Sequence, residues 1–147
     1  MSDTTPLPGT PDLLCFALYS ANHAMGRIYR PLLKDLGLTY PQYLVMLVLW
    51  ERDEVKVSDI CGRLFLETTT LTPLLKRLEA GGLVHRRRSA EDERQVIVTL
   101  SDRGRALQSQ AADVPLCMSQ AMGCSLEDLK ALQLDLMRLR GNLFEAA

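Results

Sequence analysis

The sequence predicts a mainly α-helical fold with one small β-hairpin. Apolar residues recur every three or four positions at both ends of the chain, which is the spacing of amphipathic helices. In the middle, a strand-like segment, a polar run and a second segment rich in β-branched residues follow one another, which is the pattern of a hairpin. At 147 residues, the chain is long enough for one domain with a sizeable core.

The N-terminal part should be a loose tail followed by a long helix. Residues 1–11 contain three prolines and a glycine, so we expect a flexible tail. From Asp12 onward, one apolar stripe with helical spacing comprises Leu14, Leu18, Ala21, Met25, Ile28 and Leu32. Pro31 should kink or end this helix near Tyr29–Arg30, because proline removes a hydrogen bond from the helix interior.

Three more helices are predicted before the hairpin. The pattern Thr39-Tyr-Pro-Gln42 is typical of a capping box, and it precedes the apolar run 43–50. Ser58 is expected to cap a short helix over 59–64. Threonines 68–70 should open the next helix, with Pro73 in its first turn, and Gly81-Gly82 should end it.

The rest of the chain predicts a hairpin and two helices. Residues 83–88 and 95–100 are typical of strands, and 89–94 of a polar turn. Ser101 should cap a helix to about Ala111 and Ser125 should begin the last one. The leucines of that last helix repeat at steps of three and four: Leu129, Leu132, Leu136, Leu139 and Leu143.

A helix-turn-helix followed by a hairpin is a winged helix, which we assign to residues 39–100 of a single domain, 12–147. Long helices over 12–36 and 102–147 flank it, with stripes that usually pack against a partner helix. These ends could pack on each other within one chain, but dimerisation helices of a homodimer are the favoured interpretation.

The predicted winged helix carries the residues expected to contact operator DNA. The second helix of a helix-turn-helix enters the major groove with its N-terminal residues toward the bases. Because the formal net charge is -1, any basic surface must be local. On the helix we assign the contacts to Thr68, Thr69, Thr70, Thr72, Lys76 and Arg77. On the hairpin we assign them to Arg86, Arg87, Arg88 and Arg94, with Asp92 holding Arg94 by a charge-assisted hydrogen bond. Alternatively, the threonines only cap the helix and the arginines only form a solvated edge strand.

The sequence has no feature of a secreted, membrane-spanning or metal-binding protein. The N-terminus lacks the basic start and apolar stretch of a signal peptide, and no apolar run is long enough to span a bilayer, so we expect a cytoplasmic protein without a membrane partner. The four cysteines form no metal-like pair, and no metal, nucleotide or flavin motif is present, so no cofactor is expected.

Cys15 has a physical reason to be reactive. If Asp12 is the N-cap of the first helix, Cys15 lies in its first turn, where unpaired N–H groups and the helix dipole favour a thiolate. A thiolate is the nucleophile that attacks a peroxide oxygen. The alternative is a small core residue, which is the commoner role of a cysteine.

Several segments together resemble the MarR family of dimeric winged-helix regulators. They are the run Leu71–Glu79, Gly81-Gly-Leu-Val84 and the turn Asp92-Glu-Arg-Gln95, which resembles that family's wing signature. The segments Leu14–Tyr19 and Leu38–Trp50 are similar to the OhrR subgroup, whose members are repressors that sense organic hydroperoxides. The resemblance is close over about residues 12–110 and looser beyond.

The OhrR resemblance implies a role for Cys15 and for the tyrosines and cysteines that would act with it. Cys15 matches the sensor, Tyr29 and Tyr40 match two tyrosines that hydrogen-bond the sulfur from the partner subunit, and Tyr19 matches a position near the cysteine. Some members carry a late resolving cysteine that forms a disulfide across the dimer. Cys117 is the favoured match and Cys124 the second candidate, while Cys61 is expected to be plain core.

The predicted function is a homodimeric repressor on a pseudo-palindromic operator. An organic hydroperoxide would oxidise Cys15 to a sulfenic acid, and a disulfide with a late cysteine would release the DNA. Two alternatives stay open. One is a MarR-type regulator that responds to a small ligand without redox chemistry, and the other is a thiol peroxidase.

Overall fold

A computed structural model describes residues 6–147, so the first five residues of the predicted tail lie outside the described chain. It divides into two compact units, one up to Val114 and one from Pro115 onward. The helices are α1 (Leu14–Lys34), α2 (Tyr40–Glu51), α3 (Val57–Leu64), α4 (Thr68–Ala80), α5 (Asp102–Gln110), α6 (Val114–Met122) and α7 (Leu126–Ala146). The strands are β1 (Val55–Lys56), β2 (Val84–Arg88) and β3 (Val96–Leu100). The predicted winged helix-turn-helix fold is confirmed.

Helix α1 differs from the prediction at both ends. Its N-cap is Leu13, which makes no side-chain cap, because Asp12 belongs to a preceding 3-10 turn, Thr10–Asp12. The predicted break at Pro31 is also wrong, since α1 continues through it to Lys34. Leu33 is buried and Tyr29 packs against the same core, so packing on both sides of the proline holds the helix together despite the missing N–H.

Helix α2 begins as predicted and supplies much of the core. The Thr39 side chain accepts a hydrogen bond from the Gln42 N–H, and the Gln42 side chain accepts one from the Thr39 N–H, which completes the capping box. Almost every α2 position except its ends is apolar, and its fully buried residues include Val45 and Met46. The helix therefore runs through the centre of the first unit.

The start of α3 corrects a prediction. The helix begins at Val57 with Lys56 at the N-cap, so Ser58 lies inside the first turn and does not cap it. The cause is a third strand that the sequence did not reveal. β1 pairs antiparallel with β3, Val55 opposite Val98 and Lys56 opposite Ile97. Two residues are too few to show a strand periodicity.

Helix α4 is the predicted second helix of the helix-turn-helix. It starts at Thr68 and turns its leucines 71, 74, 75 and 78 into the core. Pro73 lies inside the helix rather than in its first turn, which corrects the prediction. Gly82, at φ +77°, ends α4 in a Schellman motif, in which the Leu83 N–H donates to the Leu78 carbonyl at 3.0 Å.

The three-stranded sheet has the order β1-β3-β2, and all its pairs are antiparallel. β2 and β3 with the turn between them form the wing. Their register places Val84 opposite Leu100 at the base and Arg88 opposite Val96 toward the tip. Apolar residues near the base are buried, so the base is anchored in the core while the tip extends into solvent.

Helix α5 closes the first unit over the base of the wing. Ser101 caps it as predicted, accepting a hydrogen bond from the Gly104 N–H. Gly104 lies against the backbone of Leu83, and its carbonyl accepts a hydrogen bond from the Trp50 indole at 2.9 Å. A single glycine thus joins α2, α5 and the base of β2.

The second unit contains two helices with a break between them. α6 ends at Met122, Gly123 follows at φ +65°, and Ser125 caps α7 by accepting from the Asp128 N–H at 3.1 Å. The predicted start of the last helix is confirmed. Along α7, Leu132 and Leu143 are more than half exposed.

Candidate DNA-reading face and thiol site

The N-terminal turn of α4 presents three threonine side chains to solvent. Glu67 is the N-cap and makes no side-chain cap, so threonines 68, 69 and 70 are helical residues rather than caps. Thr72 is half-buried, whereas Lys76 and Arg77 are exposed further along. The hydroxyls and the two cations lie on the side opposite the buried leucines, which is the arrangement a recognition helix needs.

Arg86 on β2 is held by the recognition helix. The Glu79 carboxylate accepts one hydrogen bond from the Arg86 backbone N–H and another from its guanidinium, each at 3.1 Å. This pairing also lowers the pKa of Glu79. The Arg86 Nε is buried without a partner. Arg86 therefore fixes the wing to the end of α4 through a charge-assisted hydrogen bond.

The other wing arginines are more accessible. Arg94 lies in the turn with a side chain that is 90% exposed, and Asp92 Oδ1 accepts hydrogen bonds from its Nε at 3.2 Å and its backbone N–H at 3.1 Å. Arg88 donates to the Glu93 carbonyl at 2.8 Å, and Arg87 approaches Glu54 at 3.6 Å. The predicted Asp92–Arg94 contact is present, and it aims an arginine outward from the tip.

The recognition helix α4 and the wing enclose a groove with a volume of about 290 Å³. Thr68 and Thr72 line one side and Arg86 and Arg94 the other, with Lys56 beneath. None of the described residues that line it is acidic. A local basic groove therefore exists despite the net charge of -1, and its hydroxyls and cations are suited to phosphates and base edges.

Asp53 holds the base of the wing in place. This residue was not identified from the sequence. Its Oδ1 accepts hydrogen bonds from the backbone N–H groups of Leu100 and Glu54, and its Oδ2 pairs with Arg105, all at 2.9 Å. Glu54 has φ +59°, which the tight turn after α2 requires. One carboxylate thus joins that turn to β3 and α5.

Cys15 is an exposed side chain in the first turn of α1. Its position near the helix N-terminus agrees with the prediction, although Asp12 does not supply the cap. Tyr19, one turn later, is 71% exposed and stacks on His23 with ring centroids 6.4 Å apart. The thiol is therefore accessible to a solute.

Tyr29 and Tyr40 come together at the other end of α1. Their ring centroids are 4.7 Å apart, and Tyr43 lies 6.1 Å from Tyr29. The pair lines a cavity of about 580 Å³ between α1 and the start of α2, which we name the tyrosine cavity. About four helical turns, or roughly 21 Å at 1.5 Å per residue, separate Cys15 from Tyr29 along α1. One chain therefore does not bring the thiol to the phenols.

The phenols of Tyr29, Tyr40 and Tyr43 should ionise at a higher pH than an ordinary tyrosine. Burial, and then the neighbouring Tyr40 and Tyr43, raise the pKa of Tyr29 to about 12, and burial raises the pKa of Tyr40 and Tyr43. Because the fold favours the neutral phenol, this contribution to stability is full below pH 10 and is lost as pH rises toward 12. Ultraviolet absorbance should show the last phenolate forming near pH 12, and Tyr29→Phe should remove that phase. Titration of every tyrosine together at pH 10 would contradict the cluster.

The late cysteines belong to the second unit. Cys117 is half-buried within α6. Cys124 is exposed in the connector before α7, as predicted, and its thiol donates to the Met122 carbonyl at 3.3 Å. Cys61 lies in α3, half-buried, with its sulfur 3.8 Å from the Thr68 hydroxyl.

The sequence profile of the transcriptional regulator SarA/Rot family matches residues 27–110, which is more than half of the chain. The chain is a winged-helix regulator of the MarR/SarA family. It is 50% identical over 134 residues to the HTH-type transcriptional regulator TtmR of Methylorubrum extorquens, covering 91% of this chain and 69% of TtmR. It is 43% identical over 132 residues to the organic hydroperoxide resistance transcriptional regulator of Bacillus subtilis, covering 90% of each.

Solved structures of AbfR from Staphylococcus epidermidis, 37% identical to this regulator, resemble it as well. Reduced AbfR bound to DNA superposes with a TM-score of 0.76, covering 90% of this chain and 92% of that one. AbfR in its disulfide form gives 0.64, with 90% of each chain covered. These likenesses, with the family match, make the regulator a DNA-binding transcriptional regulator, and its named relatives are regulators rather than enzymes.

Over residues 6–147, no group of three or more His, Cys, Asp or Glu side chains is arranged to hold a metal ion. Within the same range, no helix is both long and apolar enough to cross a membrane.

Proposed function

We propose that this regulator is a homodimeric repressor that releases a pseudo-palindromic operator when an organic hydroperoxide oxidises Cys15. The observation that carries the proposal is the separation within one chain. The exposed thiol lies about 21 Å along α1 from the Tyr29–Tyr40 pair, so a site that contains both requires a second copy. The 43% identity to a regulator of organic hydroperoxide resistance supports the same effector.

The exposed apolar faces of α1 and α7 support the dimer. Leu14 and Ile28 on α1, and Leu132 and Leu143 on α7, are between 41% and 60% exposed. Large apolar side chains repeated at helical spacing on a solvent-facing surface mark a protein interface. We propose that a two-fold dimer buries these faces and places Cys15 of one copy at the tyrosine cavity of the other.

The proposed oxidation is a two-electron transfer. The Cys15 thiolate attacks the terminal oxygen of the hydroperoxide, an S–O bond forms and the O–O bond breaks. The product is the Cys15 sulfenic acid, and the departing alkoxide takes up a proton and leaves as the alcohol. Tyr29 and Tyr40 are neutral phenols at physiological pH, because the ordinary pKa of a tyrosine is about 10 and burial raises the pKa of both further. Each can therefore donate a hydrogen bond to the sulfur or the departing oxygen.

A late cysteine would complete the switch. Its thiol attacks the sulfur of the sulfenic acid, the S–S bond forms, and hydroxide leaves and takes up the thiol proton as water. Cys117 is the favoured partner and Cys124 the alternative. AbfR, which has been solved reduced on DNA and also in a disulfide form, supports a disulfide state in this family.

Release of DNA follows from the two-fold geometry. Two recognition helices bind successive major grooves when they lie one duplex turn apart, about 34–36 Å. A disulfide that rotated the winged units would change this spacing in both half-sites at once, which requires two global states of the dimer. Such a repressor acts in the cytoplasm, where its operator is.

Arg94 should contribute strongly to operator binding. Asp92 orients it at the exposed wing tip, and an arginine there can enter the narrow minor groove. Arg94→Ala should weaken operator affinity by about 10- to 100-fold and reduce the salt dependence by about one ion. Arg138→Ala is the matched control, because it removes the same charge from an exposed ion pair on α7. Equal effects of both variants in a titration by fluorescence anisotropy would contradict the wing contact.

Non-reducing gel electrophoresis after one equivalent of an organic hydroperoxide tests the redox proposal. A covalent dimer should form in the wild type and in one of the two variants Cys117→Ser and Cys124→Ser, and should be lost in the other. Mass spectrometry should show one oxidation event per Cys15 rather than steady turnover. Operator release with every thiol unmodified would instead support the second candidate, a regulator controlled by reversible binding of a small molecule in the tyrosine cavity, whose volume of about 580 Å³ fits such a ligand.

A further inference from the structure

The turn of the wing has a composition that does not favour DNA by itself. Residues 89–95 contain three consecutive acidic side chains and one basic side chain, Arg94. A turn that moved freely would therefore present more negative than positive charge to the operator phosphates. The groove between α4 and the wing is lined by Arg94 and Gln95 but by none of these acids. The conformation of the turn thus decides which charge lies at the groove.

A buried hydroxyl holds this conformation. Ser89, the first residue of the turn, is only 6% exposed. Its Oγ accepts hydrogen bonds from the backbone N–H of Glu91 at 3.3 Å and from that of Asp92 at 3.4 Å. A serine that accepts from the N–H groups two and three residues later stabilises a turn whose backbone has no ladder partner. A residue without the hydroxyl would leave both N–H groups without this acceptor.

The position of Asp92 in turn fixes Arg94. The Asp92 carboxylate accepts hydrogen bonds from the Nε and the backbone N–H of Arg94 at 3.2 and 3.1 Å. The Asp92 carbonyl also accepts from the Gln95 N–H at 3.0 Å, and the Ser89 N–H donates to the Gln95 carbonyl at 2.8 Å, which closes the turn. A continuous series of hydrogen bonds therefore runs from the buried Ser89 hydroxyl through Asp92 to Arg94, whose side chain is 90% exposed.

We propose that Ser89 is a positioning residue for operator binding and acts through Asp92 and Arg94. Its hydroxyl fixes the turn before DNA arrives, so that Arg94 is presented to the operator while the three acids stay out of the groove. The DNA does not have to order the turn, and less affinity is lost to conformational entropy. This inference rests on the proposed function, in which Arg94 contacts the operator.

A double-mutant cycle tests whether Ser89 acts through Arg94. Operator affinity of the full-length protein is measured by fluorescence anisotropy for the wild type, Ser89→Ala, Arg94→Ala and the double variant. Ser89→Ala should weaken binding about fivefold, the effect of losing one hydrogen-bonding group of ordinary strength. In the Arg94→Ala background the same change should weaken binding by no more than about twofold, because only the repulsion from the acids is left to act.

Two further variants localise the effect to the hydroxyl of Ser89. Ser89→Thr keeps the hydroxyl and should retain operator affinity within about threefold of the wild type. Ser109→Ala is the matched control, because it removes a hydroxyl that donates to the Ala106 carbonyl in α5 and does not line the groove. It should leave operator affinity within about twofold of the wild type. Equal losses in Ser89→Thr and Ser89→Ala would overturn the role of the hydroxyl.

Hydrogen exchange on the free wild type decides even if Ser89→Ala fails to fold. The N–H groups of Glu91 and Asp92 should exchange at least about tenfold more slowly than in an unstructured peptide before any operator is added. Exchange at the unstructured rate until DNA binds would overturn the proposal. So would an equal cost of Ser89→Ala with and without Arg94, although the contact of Arg94 with DNA would then stand. If Arg94→Ala itself left the affinity unchanged, the proposed wing contact would fail as well.

Discussion

Operator release by an organic hydroperoxide should be lost completely in the variant Cys15→Ser. Serine is nearly isosteric, and the side chain at position 15 is exposed, so we expect folding and operator affinity to stay within twofold of the wild type. A serine hydroxyl without an adjacent base is a poor nucleophile toward a peroxide at neutral pH, whereas a thiol is partly ionised there. An operator-binding titration before and after peroxide treatment measures both properties.

Cys61→Ser is the matched control for this experiment. Cys61 is also a thiol of the first unit, it is half-buried in α3, and its sulfur faces Thr68 at the start of the recognition helix. Its replacement by serine is expected to retain release by peroxide, because a serine hydroxyl can still contact Thr68. Release that persists in Cys15→Ser, or that disappears in Cys61→Ser alone, would refute the assignment of Cys15 as the sensor.

The variant Gly104→Ala should be severely destabilised. A Cβ atom at this position would lie 2.1 Å from the Leu83 carbonyl oxygen and 3.0 Å from its carbon, and both are backbone atoms that cannot turn away. The base of β2 and the start of α5 must separate to admit the methyl group. That separation disturbs the hydrogen bond from Trp50 to the Gly104 carbonyl. We expect a loss of about 3 kcal/mol in the free energy of unfolding.

Gly62→Ala provides the comparison, because a Cβ atom at Gly62 in α3 meets no atom within 4 Å. The same change there should stabilise the protein by up to about 1 kcal/mol, since alanine favours the helix over glycine. Urea unfolding followed by Trp50 fluorescence and by circular dichroism gives both values. Equal midpoints for Gly104→Ala and the wild type would show that α5 does not pack as described.

Much of the fold could be predicted because its signals are local. The capping box at Thr39 and Gln42 and the glycine stop at Gly82 each depend on residues within a few positions of one another. The helical spacing of the leucines in α4 indicates which side of the helix is buried. The threonines were therefore correctly predicted to be exposed. The Asp92–Arg94 contact is likewise confined to one turn of the chain.

Other features were missed because their causes are distant in sequence. Pro31 predicted a helix end, but burial of Leu33 against the core outweighs one missing hydrogen bond. β1 exists only because β3, more than 40 residues later, pairs with it. The ion pair between Arg86 on β2 and Glu79 on α4 was not predicted, because it joins two different elements. The contacts of Asp53 were missed for the same reason, since its partners Leu100 and Arg105 lie about 50 residues further along the chain.

The sequence by itself determined the order of α1 to α4, the hairpin and α5, the family resemblance and the place of Cys15 near the start of α1, because periodicity, caps and motifs depend on neighbouring residues. Only the tertiary structure decided which charges are available. It paired Arg86 with Glu79, and it brought Tyr29 to Tyr40 in one cavity that Arg30 and Lys34 also line. Charge and packing act through space, so their outcome depends on which distant segments the core brings together.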